Sequence, residues 1–151
     1  MGQRLRRLVR DASGANLLEA ALITPLLLLL TFSVIELSMV FFVYLALENG
    51  VTQATRAGVT GNPGAGRAES LMRAMRDATP VLTIPDEAFT FAHLPPGASA
   101  WVGGPGGSED IEKMTVDYRW PLLTPVLRPA FGGSEVHIRV ESARKNERRL
   151  E

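Results

Sequence analysis

A long apolar segment limits what this chain can fold into. It covers residues 20–47 and contains one ionisable residue, Glu36, and one proline, Pro25. As an α-helix rising about 1.5 Å per residue it would be about 42 Å long, more than the ~30 Å hydrocarbon core of a bilayer. A secretory signal peptide has an apolar region of only about 7–15 residues. The segment therefore predicts one retained membrane-spanning helix.

Four arginines precede the apolar segment and predict its orientation. They are Arg4, Arg6, Arg7 and Arg10, and the one acid among them is Asp11. Basic residues within about 15–20 positions of a spanning helix bias that end toward the cytoplasm. We therefore expect a single-pass protein whose N-terminus is cytoplasmic and whose remaining chain is exported.

The residues at the start of the apolar segment resemble a known processing signal. Gly14 ends the basic leader, Ala15 follows it, and Glu19 is the fifth residue after Gly14. This arrangement resembles the class III leader of type IV pilins and pseudopilins. Within that group, four segments resemble TadE-like proteins of tight-adherence (Tad, type IVc-like) pilus systems: residues 19–26, 35–37, 54–58 and 143–147.

The resemblance to TadE-like proteins implies a function in pilus assembly. A prepilin peptidase would remove residues 1–14 by cutting between Gly14 and Ala15. The product would lie in the bacterial inner membrane with its head exported, or enter the pilus. The implied partners are this peptidase, the inner-membrane assembly platform, a TadF-like protein and the Flp-type major pilin.

The sequence departs from the pattern of the fibre-forming Flp pilins. Those pilins usually carry Tyr after the Glu and end soon after the helix. Here Ala20 follows Glu19, and a head of about a hundred residues remains. The resemblance therefore favours a minor pilin or pseudopilin that supports pilus biogenesis and surface adherence, rather than the bulk fibre subunit.

Glu19 would place a carboxylate at the edge of the hydrocarbon, where charge is costly and usually paired. Cutting before Ala15 would create an α-amino group that is positively charged at neutral pH. Glu19 could pair with that amine, and such a pair in a helical bundle would set axial register more than it adds stability. The resemblance implies an amine on a neighbouring subunit. The alternative is that Glu19 lies among the lipid headgroups and binds water.

Three further residues of the apolar segment have a polar or conformational role to explain. Pro25 removes a backbone donor and predicts a kink, because it clashes with the carbonyl four residues earlier. Ser33 precedes Glu36 by about one turn, and the two could contact another pilin or the assembly platform within the membrane. The alternative is that the helix is long enough to bring Glu36 to the wet outer interface.

The rest of the chain, residues 61–151, predicts a small α+β head that resembles a pilin head. Helical spacing continues to residue 60, so one long helix over residues 15–60 is expected, with Gly and Pro stopping it at residues 61–64. An amphipathic second helix follows over residues 66–79. Alternating apolar residues then predict a mainly antiparallel sheet of three strands, with a short fourth edge strand at residues 100–102. The alternating positions are Phe89 and Phe91; Met114, Val116, Tyr118 and Trp120; and Val136, Ile138 and Val140.

An apolar, proline-punctuated segment at residues 121–131 links the last two predicted strands. It contains Pro121, Pro125 and Pro129. Such a segment could be a contact surface for another protein or could cover one end of the sheet. Covering is favoured, because a small head needs the burial.

Composition excludes several kinds of chemistry. The chain has no cysteine, which rules out disulfides, thiolate metal sites and a Cys nucleophile. Formal net charge is zero, so no overall basic field favours nucleic acid as a partner. The two histidines, His93 and His137, are expected at the surface. No metal-ligand spacing joins the acidic dipeptides, which are predicted to lie in loops at Asp86-Glu87 and Glu109-Asp110. We expect no catalytic residues, cofactor or metal site.

Two other functions remain open from the sequence. The chain could be an uncleaved, signal-anchored periplasmic scaffold of an envelope complex, in which Gly14 and Glu19 would be freely replaceable. A membrane-tethered enzyme or binding module would instead need a deep polar pocket near His93 or the acidic loops. The sequence supports the second much less than the first.

Overall fold

A computed structural model of the chain describes residues 12–60 and 66–147. These residues form an α+β structure, as the sequence predicts. The leader arginines and the predicted helix stop at residues 61–64 lie outside the described residues. The elements are α1 (Ala12–Thr60), α2 (Arg67–Ala78), β1 (Phe89–Leu94), β2 (Val102–Gly103), β3 (Ile111–Pro121), α3 (Arg128–Phe131) and β4 (Glu135–Lys145), with single 3-10 turns at Asp86–Ala88 and Pro125–Leu127.

Helix α1 has two parts that differ in their surroundings. Of the described helices it is the one long and apolar enough to cross a membrane, by length and composition, over Gly14–Val59. Between residues 14 and 35 its side chains are exposed, apart from the half-buried Ser33. From Glu36 onward one face is buried, at positions three, four or seven residues apart that form a single stripe: Glu36, Val43, Leu47, Val51 and Ala54. Pro25 lies inside the continuous helix.

Helix α2 packs closely against the C-terminal part of α1. Its buried residues include Leu71 and Met75, which the amphipathic pattern predicts. Two glycines of α1 permit the approach: a Cβ at Gly50 would lie 2.6 Å from Thr79 Cγ2, and one at Gly58 would lie 2.7 Å from Leu71 Cδ2. Either distance is shorter than real Cβ contacts, so a side chain at position 50 or 58 would force the neighbouring side chain of α2 or Thr79 to move.

The four strands form one antiparallel sheet in the order β2-β1-β3-β4. In its register, Val116 of β3 pairs with Phe89 of β1 and with Val140 of β4. The alternating apolar residues therefore share one face, and that face packs on α1 and α2. The predicted edge strand is β2, which is two residues long.

The core of the head is built on the long helix. It joins Val43, Leu47 and Val51 of α1 to side chains from α2, β3 and β4. The principal partners are Leu71, Met75, Met114, Val116, Ile138 and Val140. Helix α1 is thus both an exposed apolar rod and a core element of the head, and its head-packed face begins at Glu36, inside the predicted span of residues 20–47.

Backbone hydrogen bonds hold the segment between β3 and β4 in place. We call residues 122–134 the β3–β4 loop. The amide of Leu122 donates to the carbonyl of Ser134, 2.8 Å away, and so closes the base of the loop. Leu122 and Leu127 are buried, which agrees with the covering role predicted for this segment, but Leu123, Val126 and Phe131 are exposed. The loop therefore both covers the end of the sheet and presents apolar side chains outward.

Candidate functional site

The predicted processing and assembly residues lie at the exposed N-terminal end of α1. Gly14 is exposed, and a Cβ added to it would meet no atom within 4 Å. Glu19 is also exposed, and no described residue forms an ion pair with it. Ala15 and Glu19 are one helical turn apart and so lie on the same face. An amine created at Ala15 and the Glu19 carboxylate would share one side of the helix.

The exposed apolar part of α1 fills most of the thickness of a bilayer. From Ala20 to Ile35 it measures about 24 Å at the rise of an α-helix, against the ~30 Å hydrocarbon core, with Glu19 at one edge. Two of its hydroxyl groups bond within the helix: Thr31 donates to the carbonyl of Leu27 at 2.8 Å, and Ser33 to that of Leu29 at 2.7 Å. A helix in lipid must satisfy its polar groups internally, and this one does so at both positions.

Glu36 lies where the exposed part of α1 ends, and it binds the head of its own chain. Its side chain is 1% exposed. One carboxylate oxygen, Oε1, accepts a hydrogen bond from the Leu123 amide at 3.0 Å, and Oε2 accepts one from the Thr124 amide at 2.9 Å. The sequence indicated a partner in another protein or in water for Glu36, and not the β3–β4 loop of the same chain.

The two bonds to Glu36 form a clamp between the helix and the loop. A buried carboxylate is costly unless hydrogen bonds compensate it, and each oxygen here receives a backbone donor. Because the two donors are consecutive amides, the carboxylate fixes the direction of the loop as well as its position. We call this pair of bonds the proximal clamp.

A second polar cluster holds the head at the other end of the packed helix. The Arg67 guanidinium is buried beside Glu112, with Nη2 at 2.6 Å and Nε at 3.0 Å from Oε2. The same Nη2 donates to the carbonyl of Gly58 at 2.8 Å and to Asn146 Oδ1 at 2.9 Å. One side chain of α2 therefore ties together α1, β3 and the residue following β4. We call this cluster the distal clamp.

The distal clamp was not predicted from the sequence, although the sequence contains one sign of it. Glu112 has the same parity as Met114 and Val116, so it occupies the apolar face of β3. A carboxylate on a core-facing position needs a buried cationic or donor partner. Asn146 falls in the charged tail, which would ordinarily be solvated. In the structure it is buried, and its Nδ2 donates to the carbonyl of Gly107 at 2.7 Å.

The polar residues that a binding module would need are used in local structure. His93 is half-buried rather than at the surface, and its Nδ1 lies 3.1 Å from the carbonyl oxygen of Gly104. Asp110 accepts a hydrogen bond from the Gly107 amide at 2.7 Å, and Asp86 pairs with Arg76. His137 is exposed on the outer face of the sheet, as expected. Within residues 12–60 and 66–147, no three His, Cys, Asp or Glu residues form a group that could hold a metal ion.

Comparison with known proteins bears on the long helix. Residues 14–56 match the family described as TadE-like protein. The chain carries a TadE-like segment. The match confirms the resemblance inferred from the sequence, and it begins at Gly14 itself. A TadE-like segment suggests involvement in Tad pilus systems.

The TadE-like match covers one part of the molecule only. It includes Gly14, Glu19 and Glu36, and ends at residue 56 within the head-packed part of α1. Arg67, Glu112 and the β3–β4 loop lie outside it. Neither the curated proteins nor the solved structures contain a significant match to the chain.

Proposed function

We propose that this chain is a minor pilin or pseudopilin of a Tad-type pilus, processed between Gly14 and Ala15 and assembled through α1. The observation that carries the proposal is the exposed stretch that begins with Gly14 and Glu19 inside a TadE-like segment and continues directly into the core of the head. In such a subunit the apolar rod provides contact with lipid or with other pilin helices. The head then projects from it without an intervening linker.

Glu19 provides the assembly chemistry of this proposal. A lone carboxylate at the hydrocarbon edge is costly, and a positive partner lowers that cost. Processing supplies such a partner, because it creates an α-amino group on Ala15 of each subunit. The exposed position of Glu19 suits an amine from a neighbouring subunit. The pair would form only when two helices reach the correct axial offset, so it would select register during assembly.

The exported head would adapt this rod to a role at the pilus rather than within the bulk fibre. On the family's analogy it would initiate, cap or tune a pilus of smaller Flp-type subunits and so support surface adherence. The proposed partners are the prepilin peptidase, the inner-membrane platform, a TadF-like protein and the major pilin. The proposed location is the inner membrane, with the N-terminus cytoplasmic and the head exported.

The test is the intact mass and N-terminal sequence of the protein from cells with and without the cognate prepilin peptidase. We expect a chain that begins at Ala15 only when the peptidase is present. A Gly14→Leu variant should keep its leader in both strains, because the proposed processing signal requires glycine before the cut. A Cβ at position 14 meets no atom within 4 Å, so the fold should be unchanged. Gly133→Leu, at an exposed position of the β3–β4 loop where a Cβ also meets no atom within 4 Å, controls for loss of a glycine and should be processed normally. A leader retained in every strain would favour the uncleaved scaffold instead.

A further inference from the structure

The β3–β4 loop presents three exposed apolar side chains at the end of the head nearest the exposed part of α1. Leu123 is 58% exposed, Val126 64% and Phe131 38%. Exposed apolar residues are ordinary when scattered singly, but these three lie within one short closed loop. The loop is not slack, because hydrogen bonds at its base and within its turns hold it.

The proximal clamp fixes the height of this loop along the helix. Its amides at Leu123 and Thr124 bind Glu36, which follows directly on the exposed apolar stretch of about 24 Å. With Glu19 at one edge of the ~30 Å hydrocarbon core, Glu36 lies about 25 Å along the helix, within about 5 Å of the boundary between hydrocarbon and headgroups on the other side. The exposed side chains of the loop then stand at the same boundary. If the membrane span of α1 lay nearer the C-terminus, the loop would lie deeper in the bilayer. The loop therefore contacts the membrane with either position of the span.

Exposed aromatic residues of α1 support this level for the interface. Phe41, Phe42 and Tyr44 are exposed and follow Glu36 within about two turns. The Tyr44 hydroxyl donates to Glu48 Oε1 at 3.1 Å, on the side away from the exposed stretch. Tyrosine with its ring toward lipid and its hydroxyl toward water is typical of a membrane interface.

We propose that the β3–β4 loop is a lipid-contact surface, seated through Leu123, Val126 and Phe131 in the interface of the bilayer that its own helix crosses. The occupant is the phospholipid leaflet on the side of the head. Arg128, exposed between these residues, adds a cation that can approach lipid phosphate. The proposal needs only that α1 spans a bilayer, and it does not depend on processing or on a pilus.

Lipid contact would give the head a defined orientation relative to the membrane before any assembly. Helix α1 alone leaves the head free to tilt with the helix and to rotate about its axis. A second contact, on one side of the helix, would restrain both motions. Leaving the membrane would then require the loop to lose its lipid contact at the same time as the apolar rod.

The absence of native cysteine permits a direct test with the full chain. Val126→Cys and Phe131→Cys place single labels in the loop, while Val102→Cys is the matched control, an exposed valine of β2. Val102 pairs with His93 of β1, and His93 lies beside the Ile111 end of β3. The β3–β4 loop follows the opposite end of β3, so position 102 is remote from the loop. Each variant, carrying an environment-sensitive fluorophore, is reconstituted into vesicles of phosphatidylethanolamine and phosphatidylglycerol. Near-ultraviolet circular dichroism confirms that each head is folded.

Quenching distinguishes the possible surroundings of the loop. We expect nitroxide-labelled phospholipid to quench positions 126 and 131 by about half or more, because interfacial groups lie within about 5–10 Å of the headgroup and acyl boundary. Iodide on both sides of the bilayer should quench position 102 and spare the other two. Loop labels as open to iodide as the control would overturn the proposal. Labels shielded from both quenchers, with shielding that weakens on dilution into lipid, would overturn it in favour of a second copy of the chain.

Discussion

The Leu123 amide donates to the Glu36 carboxylate across 3.0 Å, although 87 residues separate the two positions in the chain. The bond joins the point where the apolar rod ends to the loop that closes the sheet. It explains why a carboxylate is placed within an otherwise apolar run. The charge holds the head in a fixed position on the helix.

Replacing Glu36 should loosen the β3–β4 loop. In Glu36→Ala the two amides lose a charged acceptor, and we expect a loss of about 2 kcal/mol in the free energy of unfolding, in line with hydrogen bonds to charged groups. Glu36→Gln should be intermediate, since one amide would face the NH2 group. The measurement is hydrogen exchange at Leu123 and Thr124 in nanodiscs. Glu135→Gln, an exposed change near the base of the loop, is the control, and equal exchange in all variants would contradict the clamp.

The distal clamp should respond differently to one substitution than to two. Arg67→Met leaves Glu112 buried without its partner, and we expect a loss of about 3 kcal/mol or more. Adding Glu112→Leu should recover most of it, because an apolar pair of similar volume removes the uncompensated charge. Urea unfolding followed by circular dichroism gives the coupling energy from the double-mutant cycle. Additive losses would contradict the direct pairing seen here.

The close approach of α1 and α2 can be tested at Gly50. Gly50→Ala places a methyl group against Thr79 Cγ2, and we expect destabilisation of about 1–3 kcal/mol from overpacking, despite the better helix propensity of Ala. Thr79→Ser removes that methyl while keeping the hydroxyl that donates to the Met75 carbonyl at 2.8 Å. The double variant should therefore be more stable than Gly50→Ala alone. The measurement is the thermal unfolding of the unmodified chain, the two single variants and the double variant. A double variant no more stable than Gly50→Ala would contradict the contact with Thr79.

Glu19 should matter for assembly and not for folding. Glu19 is exposed, so Glu19→Ala should leave the thermal unfolding of the head and the cut before Ala15 unchanged. Under the proposed function, the variant should be strongly depleted from sheared pili relative to the membrane fraction. Glu69→Ala, an exposed change on α2, should behave as the unmodified chain. Normal incorporation of the Glu19 variant would argue against the register role.

The fold was predictable because its main signals are periodic. The alternation of Met114, Val116 and Tyr118, repeated around Ile138, identifies core-facing strand positions from the sequence alone. Their register confirms it, since Val116 pairs with Val140 and Tyr118 with Ile138. The amphipathic spacing of α2 was equally direct. Local patterns of this kind need no knowledge of distant partners.

The two clamps were not predictable in the same way. Glu36 is conspicuous as a single charge in the apolar segment, and Glu112 as a charge on the apolar face of β3, but their partners lie far away in sequence. The donors to Glu36 are backbone amides, which carry no residue signature at all. Asn146 likewise resembles tail residues until its contact with Arg67 is seen. The charge of Glu36 indicated a polar partner or water, and the partners of both carboxylates became known only from the tertiary structure.

The uninterrupted passage of α1 from the exposed rod into the core has a mechanical consequence. A force that pulls along the exposed part of α1 would act on the head as shear along the packed face of α1 between residues 36 and 58. The proximal clamp lies at one end of this face and the distal clamp at the other. Shear loads all of these contacts together, whereas tension on a loose tether would peel them one at a time. A molecule with this structure would transmit force from α1 to any partner bound by its head, with little extension of its own.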